Sequence, residues 1–264
     1  MIKCCSLFSG SSGNAIFIEG SGTKILVDAG VSGRKIENNL ASIGASLTEI
    51  DAILVSHEHS DHVCSVGYLS KKYNIPVFAS ELTWHGMESQ ISKISPDNRF
   101  SFHPDHWFEI GQLDILPFKI PHDANEPCGF SILGEGKKVT IATDIGHMNN
   151  YLIENMMSSD MLLIEANHDV EMLKCGKYPW SLKCRILGDT GHLCNEAAAK
   201  TITYLVNSGM KKFFLGHLSA SNNFPELAYQ TVHSSLAEIG VTPGDEIFVE
   251  VAPRNQCSKV MELV

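Results

Sequence analysis

The chain has 264 residues, a formal charge of −10 and a hydrophobic fraction of 44%. This is the composition of a globular protein with one large core, and we expect a single domain over residues 1–264. The acidic balance excludes a protein coated with positive charge for nucleic acid, although it leaves a local basic patch open. No signal peptide is recognisable, and no run approaches the roughly 20 apolar residues that span a bilayer, so no membrane segment is expected. Eight cysteines without a CxxC pair indicate reduced thiols and a cytoplasmic protein.

Glycine- and serine-rich turns separate short elements in the first half of the chain. The predicted elements there are strands near residues 2–8, 14–19 and 24–28, a helix at Ser32–Leu40, a buried strand at Ile50–Val55, a helix at His62–Tyr73, a strand at Pro76–Ser80 and a helix at Glu81–Ile91. Asp28 closes the third strand. It is predicted to be either a turn residue or the carboxylate partner of a metal-binding histidine.

The second half is predicted to be rich in strands from Phe108 to Thr143 and then to alternate between strands and helices. The predicted elements are a strand at Met161–Glu165, three helices of which the last is Glu196–Val206, a strand at Lys212–Leu215, a helix at Pro225–Ile239 and a strand at Glu246–Val251.

Four metal-ligand side chains follow the Ile50–Val55 strand within six residues: His57, His59, Asp61 and His62. A compact loop at a strand end can direct all four at a common centre. Imidazole nitrogens and a carboxylate suit zinc, manganese or iron. A histidine-rich surface loop is the alternative, but an H-x-H-x-D-H array directly after a strand favours a metal site.

Three more candidate ligands follow predicted strands further along the chain, namely His122, Asp144 and His217. Side chains just beyond strand ends point into the crevice at a sheet edge, where ligands of α/β proteins bind. Five imidazoles and two carboxylates together are the number of ligands that two metal ions need.

This array resembles the metallo-β-lactamase superfamily. The resemblance implies an α/β fold of the four-layer αββα type, with two mixed sheets and outer helices. It also implies two divalent ions, zinc or manganese with iron as a further option, that together activate a water near neutral pH. The implied ligands are His57, His59 and His122 for one ion, Asp61, His62 and His217 for the other, and Asp144 between them.

Several motifs narrow the resemblance to the YycJ/WalJ-like branch of that superfamily. They are Ser9-Gly10-Ser11-Ser12-Gly13-Asn14, Ile141-Ala142-Thr143-Asp144, Glu165-Ala166-Asn167-His168-Asp169, Tyr178-Pro179-Trp180, Gly191-His192-Leu193 and Gly216-His217-Leu218-Ser219. The branch implies a 5′-to-3′ exonuclease acting on duplex DNA, with a role in DNA repair and repair proteins as partners. Cys194 departs from the branch, because a serine is expected after Gly-His-Leu.

Two further histidines lie between Asp144 and His217. His192 matches an extra histidine of the superfamily's phosphodiesterases, so the resemblance implies that it and Asp61 are catalytic. A histidine there can stabilise the charge on phosphorus or protonate the leaving oxygen, and a structural role is the alternative. His168 is predicted either to contact the substrate or to orient a metal ligand.

A basic segment with aromatic residues runs from Lys174 to Arg185. Such a segment suits phosphates and stacked bases, and the alternative is a solvated helix pair with a packed tryptophan. The predicted substrate contacts are His168, Lys177, Trp180, Lys183 and Arg185.

Other functions of the same fold stay open at this point. They are a cyclic or small-molecule phosphodiesterase, an RNase, a thioesterase and a lactamase, since a fold does not fix a substrate. A redox di-iron protein would carry glutamate at the position of His59, and a non-catalytic regulator would be expected to have lost ligands. The sequence leaves the oligomeric state open.

Overall fold

The computed structural model describes residues 1–244 and 246–264. The chain divides into two compact units, the first made of Met1–Lys119, Ala124–Lys137 and Pro253–Val264, and the second of Ile120–Asp123 and Lys138–Ala252. The single domain over residues 1–264 stays a prediction. Among the described residues, no helix combines the length and the apolar character that crossing a membrane requires.

The first unit contains a mixed seven-stranded sheet. Its strands are β1 (Ile2–Phe8), β2 (Ala15–Gly20), β3 (Thr23–Val27), β4 (Ala52–Leu54), β5 (Val77–Ser80), β6 (Arg99–Phe102) and β14 (Met261–Leu263). They lie in the order β14-β1-β2-β3-β4-β5-β6, antiparallel up to β3 and parallel from β3 to β6. The antiparallel strands β7 (Phe108–Ile110), β8 (Leu113–Lys119) and β9 (Cys128–Gly134) also belong to this unit.

Four helices accompany the first unit's sheet: α1 (Gly33–Ser42), α2 (Ser60–Val63), α3 (Val66–Tyr73) and α4 (Glu81–Met87). Ile36 and Leu40 of α1, Leu69 of α3 and Trp84 of α4 are buried in one hydrophobic cluster with the sheet. Burying these large side chains supplies the main free energy that holds the helices in place.

The second unit is built on parallel strands. They are β10 (Lys137–Ala142), β11 (Met161–Glu165), β12 (Lys212–Gly216) and β13 (Phe248–Val251). The helices of this unit are α5 (Asn150–Met156), α6 (Val170–Cys175), α7 (Trp180–Leu187), α8 (Asn195–Asn207) and α9 (Pro225–Glu238). The chain thus contains two mixed sheets with accompanying helices. Because β10, β11 and β12 run in parallel, their carboxyl ends meet at one edge.

Some elements differ from the sequence prediction. The predicted helix at His62–Tyr73 is two helices, α2 and α3. It breaks because the Ser65 amide donates to the carbonyl of Ala29, while the Asp61 carbonyl, its helical partner, accepts from the Asn14 amide. Strand β6, helix α5 and strand β14 were not predicted, α4 ends at Met87, and β13 begins at Phe248.

Candidate functional site

The first-unit cluster consists of His57, His59, Asp61 and His62, which follow β4 after two further buried residues. His57 Nε2 lies 3.0 Å from His59 Nδ1. The His57 ring lies 4.1 Å from the His62 ring and 4.6 Å from the His59 ring, measured between centroids. The Asp61 carboxylate approaches His62 Nε2 to 3.7 Å. The loop therefore brings the side chains of the motif together, as the sequence predicts.

Asp28 fixes the orientation of the His62 ring through a hydrogen bond. Its Oδ2 accepts hydrogen bonds from His62 Nδ1 at 2.7 Å and from the Ser56 hydroxyl at 2.8 Å, and its Oδ1 accepts from the Ser56 amide. A carboxylate can only accept here, so His62 carries its proton on Nδ1 and its lone pair on Nε2. The Asn14 side-chain amide lies 3.1 Å from that Nε2, in agreement with a lone pair there. This is the carboxylate contact predicted for Asp28, and the ligand role of His62 stays a prediction.

Gly30 lets the loop of the first-unit cluster pack directly against the chain after β3. A Cβ at this position would lie 1.6 Å from the carbonyl oxygen of Asp61. The Gly30 amide donates to Asn14, and the Asn14 amide donates in turn to Asp61. Any side chain at position 30 would push the Asp61 backbone away.

The second-unit cluster consists of Asp144, Glu165, His192 and His217, each of which offers a ligand atom within 4.8 Å of the others. Glu165 ends β11, His217 follows β12 directly, and Asp144 follows β10 by two residues. The parallel register therefore gathers three of the four at one sheet edge. Asp144 and His217 have positive φ angles of 61° and 55°, a strained backbone for non-glycine residues.

Glu165 is the centre of this cluster, although it was predicted only as the end of a strand and as part of a motif, and not as a site residue. The side chain is fully buried. Its Oε1 accepts from His192 Nδ1 at 2.8 Å and from His217 Nδ1 at 2.7 Å, and its Oε2 accepts from the amides of Ile145 and Leu193. Burial alone would raise the pKa of this carboxyl, but the two histidines outweigh burial and lower it to about 2. Glu165 is therefore a carboxylate that fixes both imidazoles with the proton on Nδ1.

His122 and His192 differ in their electrostatics. Burial lowers the pKa of His122, and its Nδ1 lies 3.0 Å from the Gly191 carbonyl, so the neutral ring presents its lone pair on Nε2. Burial also acts to lower the pKa of His192, but the charge of Glu165 and its hydrogen bond, with a further contribution from Asp144, raise it overall. His122 is thus suited to bind a metal ion, and His192 is suited to carry a proton.

The predicted substrate contacts lie in different surroundings. His168 is 1% exposed, and neither ring nitrogen has a hydrogen-bond partner among the described residues. Lys177 is exposed, and Trp180 is 71% exposed, which argues against a packed tryptophan. The Lys183 ammonium donates to the Lys174 carbonyl at 2.6 Å, and the Arg185 guanidinium forms a two-pronged ion pair with Asp123. Their roles in substrate binding stay predictions.

Known proteins with similar sequences share most of this chain. It is 41% identical over 244 residues to the exodeoxyribonuclease WalJ of Streptococcus pneumoniae serotype 2 (strain D39), covering 92% of this chain and 91% of that protein. It is 38% identical over 239 residues to the exodeoxyribonuclease YycJ of Bacillus anthracis, covering 90% of each. Both relatives belong to the branch that the sequence motifs indicate.

The family that matches this sequence and the fold of similar structures lead to the same assignment as these relatives. The family described as "Beta-lactamase superfamily domain" matches residues 23–217. The metallo-β-lactamase fold protein YhfI of Bacillus subtilis superposes with a TM-score of 0.72 at 15% identity, covering 97% of this chain and 98% of that one. The predicted α/β fold with two mixed sheets and flanking helices is confirmed. The chain therefore belongs to the β-lactamase superfamily, with the metallo-β-lactamase fold, and is a relative of the WalJ and YycJ exodeoxyribonucleases.

Proposed function

We propose that this protein is a metal-dependent phosphodiester hydrolase that acts as a 5′-to-3′ exonuclease on duplex DNA. One observation carries the proposal: the buried Glu165 carboxylate holds His192, a histidine of raised pKa, beside the candidate ligands His217 and Asp144. A proton donor next to metal ligands can protonate a leaving oxygen, and the resemblance associates this extra histidine with phosphodiesterases. The identity to proteins named exodeoxyribonucleases supports DNA as the polymer.

The proposed cofactor is a pair of divalent ions, zinc or manganese. The ligands would be His57, His59 and His122 for one ion, Asp61, His62 and His217 for the other, with Asp144 shared. The donor chemistry fits such ions, because hydrogen bonds place the Nδ1 proton on His62 and His217 and leave the Nε2 lone pair on the side that a ligand uses. When bound, the ions would supply Lewis-acid charge and lower the pKa of a water nucleophile.

The protein's own groups supply the remaining chemistry. His192 is 16% exposed at its side chain and donates Nδ1–H to Glu165, so its Nε2 is the atom that can meet a phosphate. The protonated ring donates Nε2–H to a phosphate oxygen or to the leaving 3′-oxygen, and the Glu165 carboxylate stabilises the positive charge. Asp61 would hold a metal ion together with its neighbour His62.

The place of action that we propose is the cytoplasm, where reduced thiols and DNA occur together, and all eight cysteines are free in the structure. A role in DNA repair, together with partner proteins from repair, rests on the resemblance to the branch and is part of the proposal.

A nuclease assay tests the proposal directly. The protein, supplied with Mn²⁺ or Zn²⁺, is given duplex DNA labelled at the 5′ or the 3′ end, single-stranded DNA and RNA. We expect metal-dependent, stepwise release of nucleotides from the 5′ end of the duplex. Asp144→Ala should abolish it, and His192→Ala should reduce it by roughly 10²- to 10⁴-fold, the usual contribution of a general acid.

His233→Ala is the matched control, because His233 lies in α9 outside both clusters and should leave the rate unchanged. Full activity in the metal-stripped protein would overturn the proposal. Cleavage of RNA or of a cyclic or small phosphodiester, with DNA left intact, would assign the same chemistry to the RNase or the small-molecule phosphodiesterase instead.

A further inference from the structure

Helix α7 presents a row of exposed apolar side chains on the second unit. Trp180, Cys184 and Leu187 are spaced four and three residues apart, so they lie on one face of the helix. Trp180 is 71% exposed and Leu187 is 41% exposed, and Cys184 is exposed as well. A tryptophan left in water gives up the free energy that its large ring would gain on burial, which favours a ligand for this face.

Helix α7 is fixed to the fold by two cationic side chains. The Lys183 ammonium, which is largely buried, donates to the Lys174 carbonyl near the end of α6. The Arg185 guanidinium donates to both oxygens of Asp123, the residue directly after His122. Three of the four cations in the basic segment are therefore engaged with protein groups, since the Lys174 ammonium also pairs with the Glu171 carboxylate at 3.0 Å. The contacts of Lys183 and Arg185 fix the position of the helix.

The far end of α7 leads directly to His192. The His192 amide donates to the carbonyl of Ile186 in the last turn of α7. A Cβ on Gly191 would lie 2.2 Å from that carbonyl, so only glycine permits this tight return of the chain. The Gly191 carbonyl in turn faces His122 Nδ1 at 3.0 Å. The orientation of α7 is thus tied to two residues of the proposed site.

The spacing along α7 matches a nucleic acid strand. Trp180 and Ile186 are six residues apart, about 9 Å along the helix axis. Stacked nucleotides rise about 3.4 Å each, so the length of α7 between Trp180 and Ile186, whose carbonyl accepts from the His192 amide, corresponds to two or three nucleotides. Lys177 is exposed three residues before Trp180, and a cation beside an exposed aromatic ring favours a strand with phosphates and stacked bases over a neutral protein surface.

We propose that Trp180 is a stacking residue for an unpaired base of the DNA strand being digested. The Arg185–Asp123 ion pair positions α7 and thereby Trp180. This inference rests on the proposed function, because the substrate is the DNA that the site would cleave. Trp180 acts on substrate affinity alone, since it lies at the start of α7 whereas the contact with His192 is made from the last turn of the helix. Arg185 acts through α7 and makes no phosphate contact of its own.

Steady-state kinetics on a 5′-labelled duplex with a short single-stranded end test the stacking role. Trp180→Ala is expected to raise KM roughly 5- to 150-fold, the range of stacking one base on an aromatic ring. The kcat should stay within about twofold, and Trp180→Phe should restore most of the affinity. Tyr204→Ala is the matched control, because Tyr204 is an exposed aromatic residue, 51% accessible, on α8.

The positioning role of the Arg185–Asp123 ion pair is tested by a double-mutant comparison. Arg185→Ala should raise KM in the same direction as Trp180→Ala, and the double variant should be no worse than Trp180→Ala alone, because both changes remove one stacking contact. The salt dependence of DNA binding should be unchanged in Arg185→Ala. If the slope of log binding constant against log salt concentration falls by about one in Arg185→Ala, with additive effects on KM, then Arg185 contacts a phosphate directly and its positioning role is disproved.

A binding measurement separates this inference from the nuclease proposal. The chain has three tryptophans, and Trp84 is buried. Single-stranded DNA should quench the fluorescence of the wild-type protein much more than that of Trp180→Phe. Quenching without any cleavage would disprove the proposed exonuclease function and support the stacking role of Trp180. Equal quenching in both proteins, an unchanged KM in Trp180→Ala, or a loss of self-association in that variant with KM unchanged would each overturn the stacking site.

Discussion

Replacing Glu165 by glutamine is the most direct test of the second-unit cluster. The carboxylate accepts four hydrogen bonds, two from imidazoles and two from backbone amides. A glutamine has a single acceptor oxygen. If that oxygen faces the amides of Ile145 and Leu193, the NH₂ group faces two Nδ1–H donors, and both histidines must move their protons to Nε2. The change is nearly isosteric, so it tests hydrogen bonding and charge without creating a cavity.

The expected loss of stability follows from the charge of Glu165. Its pKa falls from an ordinary 4.5 to about 2 in the fold. At about 1.4 kcal/mol for each pKa unit, this corresponds to about 3 kcal/mol of stability. Because the folded-state pKa is lowered, this contribution is fully present above pH 4.5 and is lost as the pH falls towards 2. Urea unfolding of Glu165→Gln at pH 7 should therefore show a loss of about 3 kcal/mol and a flatter decline between pH 5 and pH 2.

The same substitution should weaken metal binding. A proton moved to Nε2 of His217 occupies the nitrogen that a metal would use, and removing such a carboxylate partner usually lowers affinity 10- to 100-fold. Titration calorimetry with Zn²⁺ measures this. Glu58→Gln is the matched control, since Glu58 is a buried carboxylate that accepts from a backbone amide, that of Asn125, at 2.8 Å. Wild-type stability and wild-type zinc affinity in Glu165→Gln would refute the reasoning.

Three further substitutions probe the first-unit cluster and the start of α8. Asp28→Asn removes the acceptor that orients His62, and calorimetry should show metal affinity reduced 10- to 100-fold with the fold retained by circular dichroism. Gly30→Ala places a Cβ 1.6 Å from the Asp61 carbonyl, and urea unfolding should show a loss of about 2 kcal/mol or more. Cys194→Ser adds a capping hydroxyl where the N-cap of α8 has no side-chain hydrogen bond, and unfolding should show a gain of about 0.5–1 kcal/mol.

Each of these three has an outcome that contradicts it. Unchanged zinc affinity in Asp28→Asn would mean that Asp28 does not orient its neighbour. Gly244→Ala is the control for Gly30→Ala, because a Cβ there meets nothing within 4 Å, and equal losses in both would disprove the steric argument. Cys184→Ser, on an exposed face of α7, controls for the chemical change in Cys194→Ser, and an equal effect in both would contradict a capping hydroxyl.

Local sequence was sufficient to predict that the side chains of the first-unit cluster lie together, and to predict most of the strands. The candidate ligands from His57 to His62 are close together in the chain, and an apolar run marks the strand before them. Glu165 was missed because it ends an otherwise apolar strand and its partners lie 20 to 52 positions away along the chain. A signal was present, since a carboxylate in a buried strand is rarely tolerated without hydrogen-bond partners.

The missed elements have local causes. Strand β6 has three exposed residues out of four at the edge of its sheet, so it lacks the buried run that marks a strand. Helix α5 is short, and its clearest signal is the Asn149 cap, whose side chain accepts from the Leu152 amide. The exposure of Trp180 was beyond sequence reasoning, because the motif Tyr178-Pro179-Trp180 fits a packed ring and a solvated one equally well.

The long sequence separations around Glu165 also bear on how the protein acquires its metal. Its partners come from the segments after β10 and β12 and from the turn after α7, so the network exists only once those parallel strands have paired. Pairings between distant segments form late in folding. A nascent chain therefore offers histidines whose tautomers are not yet set, whereas the folded chain offers them already oriented. We therefore expect folding to precede metal loading, so that the protein should refold in the presence of a chelator and become active on later addition of the ion.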